Sequence, residues 1–270
     1  MLSSLSSGVS GLENFQQDMD VIGNDIANIN TTAFKAGIVN FADSLSNTIQ
    51  GGTATLPAEQ IGTGVAISSI GSNWTTGGLT NTGVTSNLAI SGNGFFQVQD
   101  TSGTPYVTQD GTFTLNAAGN LVTQNGDLVM GKNAAGTVAA VVISPPSGKT
   151  LTSYNIDSAG NITMNLSDGT TASAGSVTLV SVADPSLLVS EGNNLYSNAL
   201  AANDSVALAP TTAGTSGLGT LTAGAVESSN VDLSSEMANL ITAQRAFEAN
   251  SKTITTANEV LQTLVQLKQN

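Results

Sequence analysis

The sequence contains no cysteine and no histidine. Without thiols it forms no disulfides and no thiolate zinc sites, and without imidazole it supports no mechanism built on a histidine base, acid or ligand. Charge is scarce and one-sided: charged residues make up 9%, with 6 Lys+Arg against 19 Asp+Glu and a formal net charge of -13. That balance argues against binding nucleic-acid phosphates or an anionic membrane surface. Aromatics reach only 4%, and the chain is instead rich in Gly, Ser, Thr, Asn and Ala, a profile of many short strands and turns. No apolar run attains the roughly 18 residues of a transmembrane helix. The opening Met1-Leu-Ser-Ser-Leu5 lacks the basic stretch of a secretory signal. At 270 residues the chain has material for one or two cores.

The strongest pattern present lies at the C-terminus. Leu233, Met237, Leu240, Gln244, Phe247, Ser251, Ile254, Asn258, Leu261 and Val265 alternate at steps of four and three, the a/d seam of a long amphipathic helix. Asn230 or Asp232 is placed to cap its start, with Glu236 in the first turn and Lys268 near the end, as the helix dipole prefers. One lane of the seam, Leu240, Phe247, Ile254 and Leu261, is apolar; the other holds the polar Gln244, Ser251 and Asn258. Polar seam residues weaken packing but fix register and partner number. The plainer reading is a terminal helix lying half-exposed on its own domain.

At the other end, Leu2, Leu5, Val9, Leu12, Phe15, Met19, Ile22, Ile26 and Ile29 recur with the same spacing and predict a second amphipathic helix over residues 1–30. Its acids Glu13, Asp18, Asp20 and Asp25 are placed to face Arg245, Lys252 and Lys268 of the C-terminal helix. Its first turns are rich in Ser and in Gly8 and Gly11, which lowers intrinsic helicity, so the segment is expected to be ordered by a partner. Residues 31–74, with Gly51-Gly52, Pro57, Gly62 and Gly64, read as an extended connector. Gly62-Thr-Gly64 lacks the lysine and the strand–helix frame of a nucleotide loop.

Residues 75–225 read as a β-rich domain. Short strands at Ala89-Ile90, Phe95–Gln99, Tyr106–Thr108, Thr112–Leu115, Leu121–Thr123, Leu128–Met130 and Val177–Val182 alternate with turns such as Asp110-Gly111 and Asn125-Gly126. Leu115-Asn-Ala-Ala-Gly-Asn-Leu121 and Ile156-Asp-Ser-Ala-Gly-Asn-Ile162 suggest a repeated hairpin, and residues 197–225 read as loop and edge. The acids Asp110, Asp127, Asp157, Asp168 and Asp184 stand in turn sequences, where Asp hydrogen-bonds its own backbone. That role accounts for them more simply than a catalytic carboxylate pair or a calcium site. The expectation is a non-enzyme without cofactor or metal.

Several segments together resemble the bacterial flagellar rod and hook proteins. They are Leu5-Ser-Ser-Gly-Val-Ser-Gly-Leu12, Met19-Asp-Val-Ile-Gly-Asn-Asp-Ile-Ala-Asn-Ile-Asn-Thr-Thr-Ala-Phe-Lys35, Leu88-Ala-Ile-Ser-Gly-Asn-Gly-Phe-Phe-Gln-Val98, Gly192-Asn-Asn-Leu-Tyr196 and Ser229-Asn-Val-Asp-Leu233. Asn28, Asn30, Thr31, Phe34 and Lys35 form the motif turn. Two positions depart from the family pattern: Asp25, where Asn is usual, and Ala33, where Gly usually precedes Phe-Lys.

The resemblance implies an α+β subunit whose terminal helices pair as a coiled-coil domain lining a channel, with an antiparallel β domain inserted between them and lying outside. It implies a homo-polymer, assembly through the helical seams, and neighbours among rod proteins, hook–filament junction proteins and the hook cap. It also implies delivery through the flagellar type III export apparatus to a position outside the cell. Within the family the opening segment, Asn40-Phe-Ala-Asp43 and Ser229–Leu233 look more like a short hook protein, a flexible joint. The length equally suits a distal rod subunit, a stiff drive shaft. A secreted β-rich adhesin or surface-layer protein shares the composition but needs no matched helices at both ends.

Overall fold

A computed structural model describes residues 2–50, 59–134, 136–146, 148–198, 211–215 and 217–269. The expected turns at Gly51-Gly52 and Pro57, and residues 199–210 and 216 of the expected loop and edge at 197–225, lie outside the described residues. Two helices flank a β-rich middle, an α+β arrangement. The chain divides into two compact units: one of Met1–Ile29, Lys35–Asn73 and Val231–Asn270, the other of Asn30–Phe34 and Trp74–Asn230.

The first unit contains helix α1 (Leu2–Ala27), four strands and helix α2 (Leu233–Gln269). Asp232 caps α2: its carboxylate accepts from Ser234 N–H at 2.9 Å, and its carbonyl accepts from Glu236 N–H at 2.9 Å. The threonines that lower helix propensity along α2 turn their hydroxyls onto the carbonyl four residues back, as Thr242 does to Ala238 at 2.9 Å and Thr255 to Ser251 at 2.7 Å. The two helices pack against each other.

The segment expected as an extended connector is instead a pair of antiparallel hairpin layers. Strands β1 (Gly37–Asp43) and β4 (Val65–Ser72) pair outside, and β2 (Ser46–Gln50) and β3 (Glu59–Gly62) pair further along the same ribbon. A bulge between Asn40 and Phe41 interrupts the two-residue alternation, which is why periodicity did not reveal β1. The ribbon docks on α1. Asn14 Nδ2 donates to the Val65 carbonyl at 2.9 Å, and Phe15 and Phe41 meet with ring centroids 5.7 Å apart.

In the second unit the largest sheet is antiparallel. Its central path runs through Leu151–Ile156, Asn161–Leu166, Thr171–Val180, Leu128–Lys132, Phe95–Gln99, Pro105–Thr108, Leu195–Asn198 and Leu188–Gly192. The strand Thr171–Val180 ties the path together by pairing with Asn161–Leu166, Leu128–Lys132 and Phe95–Gln99. Along Asn161–Leu166 the buried residues Ile162, Met164 and Leu166 alternate strictly with exposed Asn161, Thr163 and Asn165, as a sheet with one wet face demands. The core they enter also holds Leu88, Phe96, Phe113, Leu121, Val177 and Leu179, with Phe96 and Phe113 edge to face at 5.0 Å.

The repeated hairpin is real at atomic detail. In one copy Asn116 Oδ1 accepts from Ala118 and Asn120 N–H at 3.0 and 2.9 Å, while Gly119 N–H donates to Asn116 O at 2.9 Å. In the other, Asp157 Oδ1 accepts from Ala159 and Asn161 N–H at 2.9 and 2.8 Å, and Gly160 N–H donates to Asp157 O at 3.0 Å. Gly119 and Gly160 have φ of 82° and 88°, the left-handed position that closes such a turn. Among the described residues only Asn193-Asn194, with φ of 53° and 57°, forms a two-residue hairpin turn in which both residues are left-handed.

Candidate assembly surface

Helix α2 has one stripe of residues that packs inward and further apolar residues that stay exposed near its ends. The inward face carries Leu240, Ala243, Phe247, Asn250, Ile254, Ala257 and Leu261, all buried or half-buried. Its apolar lane is the one expected from the sequence. Its second lane is Ala243, Asn250 and Ala257, one residue short of the expected Gln244, Ser251 and Asn258, which are exposed.

The partner helix explains the shift. A Cβ at Gly11 would lie 2.6 Å from Asn250 Nδ2, and one at Gly8 would lie 3.0 Å from Ile254 Cγ1. At both glycines a side chain would crowd α2, so the lack of one lets α1 lie directly against Asn250 and Ile254. Sequence reasoning took these glycines as a weakness of α1. The readable signal was Gly8 and Gly11 themselves, three residues apart on one face of α1.

On α1, Ile22 is buried and Leu5, Leu12, Phe15, Met19, Ile26 and Ile29 are half-buried, whereas Val9 is exposed. The expected ion pairs between the helices do not form at Arg245, which bridges Glu248 of its own helix at 2.8 Å. The side chain of Lys268 lies outside the described residues. Asp25 is 1% exposed and accepts from Gly37 N–H with both carboxylate oxygens, at 3.1 and 2.9 Å. Burial pushes its pKa up to about 6; the Gly37 bond opposes this and the negative charge of Glu236 adds to it.

Near its two ends α2 leaves apolar side chains exposed, Leu233, Met237 and Ile241 at the start and Val260, Leu264, Val265 and Leu267 toward the finish, with Ile241 59% and Leu267 69% exposed. The ribbon adds Ile38, Phe41, Leu45, Ile61 and Ile70, all exposed. An isolated domain seldom leaves so many large apolar side chains exposed on one helix. Polar Gln244, Ser251 and Asn258 lie among these exposed positions of α2.

Residues Asn30–Phe34 of the motif turn are clasped within the second unit. Ala33 takes φ of 54°, and its N–H donates to the Glu227 carbonyl at 2.9 Å. Asn230 N–H donates to Phe34 O at 3.3 Å, and Asn194 Nδ2 donates to Thr32 O at 2.8 Å. At the end of α1, Asn28 closes the last turn by donating from Nδ2 to the Asn24 carbonyl at 2.9 Å. Lys35 is 4% exposed.

The five candidate acids act in turns. Asp110 accepts from Thr112, Asp127 from Thr123, Asp157 from Asn161, Asp168 from Thr170 and Asp184 from Ser186. Lys149 also pairs with Asp168, and with the Thr170 bonds it holds that carboxyl far below the usual range. Among the described residues no three acidic, histidine or cysteine side chains gather as a metal set. No described helix is long and apolar enough to cross a membrane.

A flagellar basal-body rod protein FlgG of Bacillus subtilis (strain 168) is 41% identical to the chain over 274 residues, covering 99% of this chain and 100% of that protein. The chain belongs to the family of flagellar rod and hook axial proteins. As a family member it is a structural subunit of the flagellum. A rod protein FlgG of Buchnera aphidicola subsp. Acyrthosiphon pisum (strain APS) is 37% identical, again over 99% of this chain and 100% of that protein. A flagellar hook protein FlgE of Treponema pallidum (strain Nichols) is 43% identical over 140 residues, which are 48% of this chain and 30% of that protein. Three family profiles match in order along the axial protein: flagella basal body rod protein at 5–35, flagellar hook protein FlgE/F/G D1 domain at 89–164, and flagellar basal body rod FlgEFG protein C-terminal at 222–267.

Proposed function

We propose that the chain is a rod-type axial subunit, a segment of the stiff shaft below the hook, and not the hook joint itself. The observation that carries this reading is length. Full-length correspondence is with rod proteins, whereas the hook relative is matched over less than a third of its own length. Shared signatures at the two ends of the chain, which favoured a hook on sequence alone, are common to both kinds of subunit, as the profile naming FlgE, F and G together indicates.

In this reading α1 and α2 are the two strands of an inner coiled-coil domain, and the outward face of α2 seats on neighbouring copies around a channel. Gln244, Ser251 and Asn258 face neighbours or channel water, Met237 and Val265 supply the apolar contacts, and Leu233 opens the seam. The subunit reaches its place through the flagellar type III export path and joins other rod proteins and the base of the hook. Stiffness comes from two helices locked at Gly8 and Gly11. Purified protein induced to polymerise is expected to give straight tubes by electron microscopy. Curved, supercoiled tubes would return the assignment to the hook.

A further inference from the structure

The first unit has a groove near one end of its helix pair and a bare helix tail at the other. The groove, about 360 Å³, lies between α1, α2 and β1. Its walls include the apolar Phe15, Val21, Ile22 and Ile38 and two carboxylates, Asp18 and Glu236. Among the described residues the half-buried Asp18 carboxylate has no hydrogen bond or ion pair, and burial raises its pKa. From Glu13 to Ala27 the acids Glu13, Asp18, Asp20 and Asp25 occur with no base, and Asp232 and Glu236 precede Arg245, the first base of α2. Negative charge therefore gathers at this end of the pair.

The tail is the far end of α2. Gly8 lies against Ile254 and Gly11 against Asn250, so the two helices run antiparallel. Leu2, six residues before Gly8, falls level with about residue 260, where α1 stops while α2 continues to Gln269. Leu264, Val265 and Leu267 in that stretch are exposed, and from Val260 to Asn270 the one charged residue is Lys268, a base. Groove and tail thus match in both respects, apolar with apolar and acid with base. They lie about 40 Å apart along one continuous helix, counted from Asn239 to Leu264, so a chain's own tail does not reach its own groove. We propose that the α2 tail, Leu264–Lys268, of one copy seats in the groove of the next, where Asp18 and Glu236 answer its positive charge. A head-to-tail joint of this kind uses two different surfaces and builds an open filament, whereas a surface pairing with itself closes a dimer. The inference rests on assembly through α2 and is independent of the choice between rod and hook.

The chain has no cysteine, so a pair introduced by mutation reports one contact. The Asn239→Cys, Leu267→Cys chain, brought to polymerising conditions and mildly oxidised, is expected to give a ladder of disulfide-linked oligomers on a non-reducing gel. Each single variant is expected to stop at dimers. With Met237→Cys in place of Asn239→Cys the ladder is expected to vanish, because Met237 is exposed but outside the groove lining. No ladder from the Asn239 pair, or an equal one from the Met237 pair, overturns the proposal whether or not tubes form; tube shape separately judges the rod reading. If the cysteines disturb folding, charge gives a second readout. Lys268→Glu is expected to raise the concentration needed for polymerisation about fivefold, and adding Asp18→Lys to the same chain is expected to recover most of the loss. A Lys268→Glu chain that polymerises at the wild-type concentration also overturns it.

Discussion

Ala33 sits in a backbone conformation that its own methyl group opposes. At φ of 54° a side chain crowds the neighbouring carbonyl, and only glycine adopts the left-handed region freely. The position is fixed regardless, because Ala33 is buried and its N–H bonds to the Glu227 carbonyl. Ala33→Gly is therefore expected to raise stability by about 0.5–1 kcal/mol, the relieved strain exceeding the extra entropy of the unfolded chain. Urea unfolding followed by circular dichroism measures it; a loss of stability would mean the turn tolerates alanine without strain. Asp25 makes the second residue-scale prediction. Its folded pKa of about 6 lies above the unfolded value of 3.8, so the folded chain holds the proton more tightly. The contribution is neutral below about pH 4, falls as pH rises toward 6, and is fully unfavourable above that. Asp25→Asn, which still accepts from Gly37, is expected to stabilise the protein at pH 7 by roughly 1–2 kcal/mol after solvent screening, with no gain at pH 3.5. Thermal unfolding at the two pH values tests the sign.

At the scale of elements, the contact of α1 with α2 turns on Gly11 and Asn250. Gly11→Ala places a methyl 2.6 Å from Asn250 Nδ2, so the helices must separate or the asparagine must swing away. A loss of about 1–3 kcal/mol is expected, as for other overpacked sites. Asn250→Ala in the same chain is expected to restore most of it. A double-mutant cycle with no coupling between the two positions would show that the helices do not approach here. This contact also marks how far sequence reasoning reached. The lane Leu240, Phe247, Ile254 and Leu261 was legible because four large apolar residues repeat every seven. The second lane was not, because Gln244 and Ala243 are one step apart and only the glycines of α1 decide which one is covered. The paired hairpin turns at Asn116 and Asp157 were legible because the same side-chain oxygen makes the same bonds in both. Strand β1 was hidden by its bulge and by a half-exposed surface with no clean alternation.

For the whole molecule, the account divides α2 into a face that holds the subunit together and a face that joins it to others. The division implies that the two functions separate by mutation. Substituting Met237, Ile241 and Leu264 with serine removes apolar surface that the isolated chain already exposes, so folding should change by only a few tenths of a kcal/mol for each residue. Leu240→Ala, on the inward and half-buried face, should instead lower stability by about 1–3 kcal/mol. The most direct measurement is electron microscopy of polymerised wild-type chain beside the Met237→Ser, Ile241→Ser, Leu264→Ser triple variant, each first checked for helix content. Straight tubes from the wild type, and none from an equally folded variant, are what the account predicts. Tubes of the same form and yield from both would contradict it, placing the joints between subunits somewhere other than the outward face of α2.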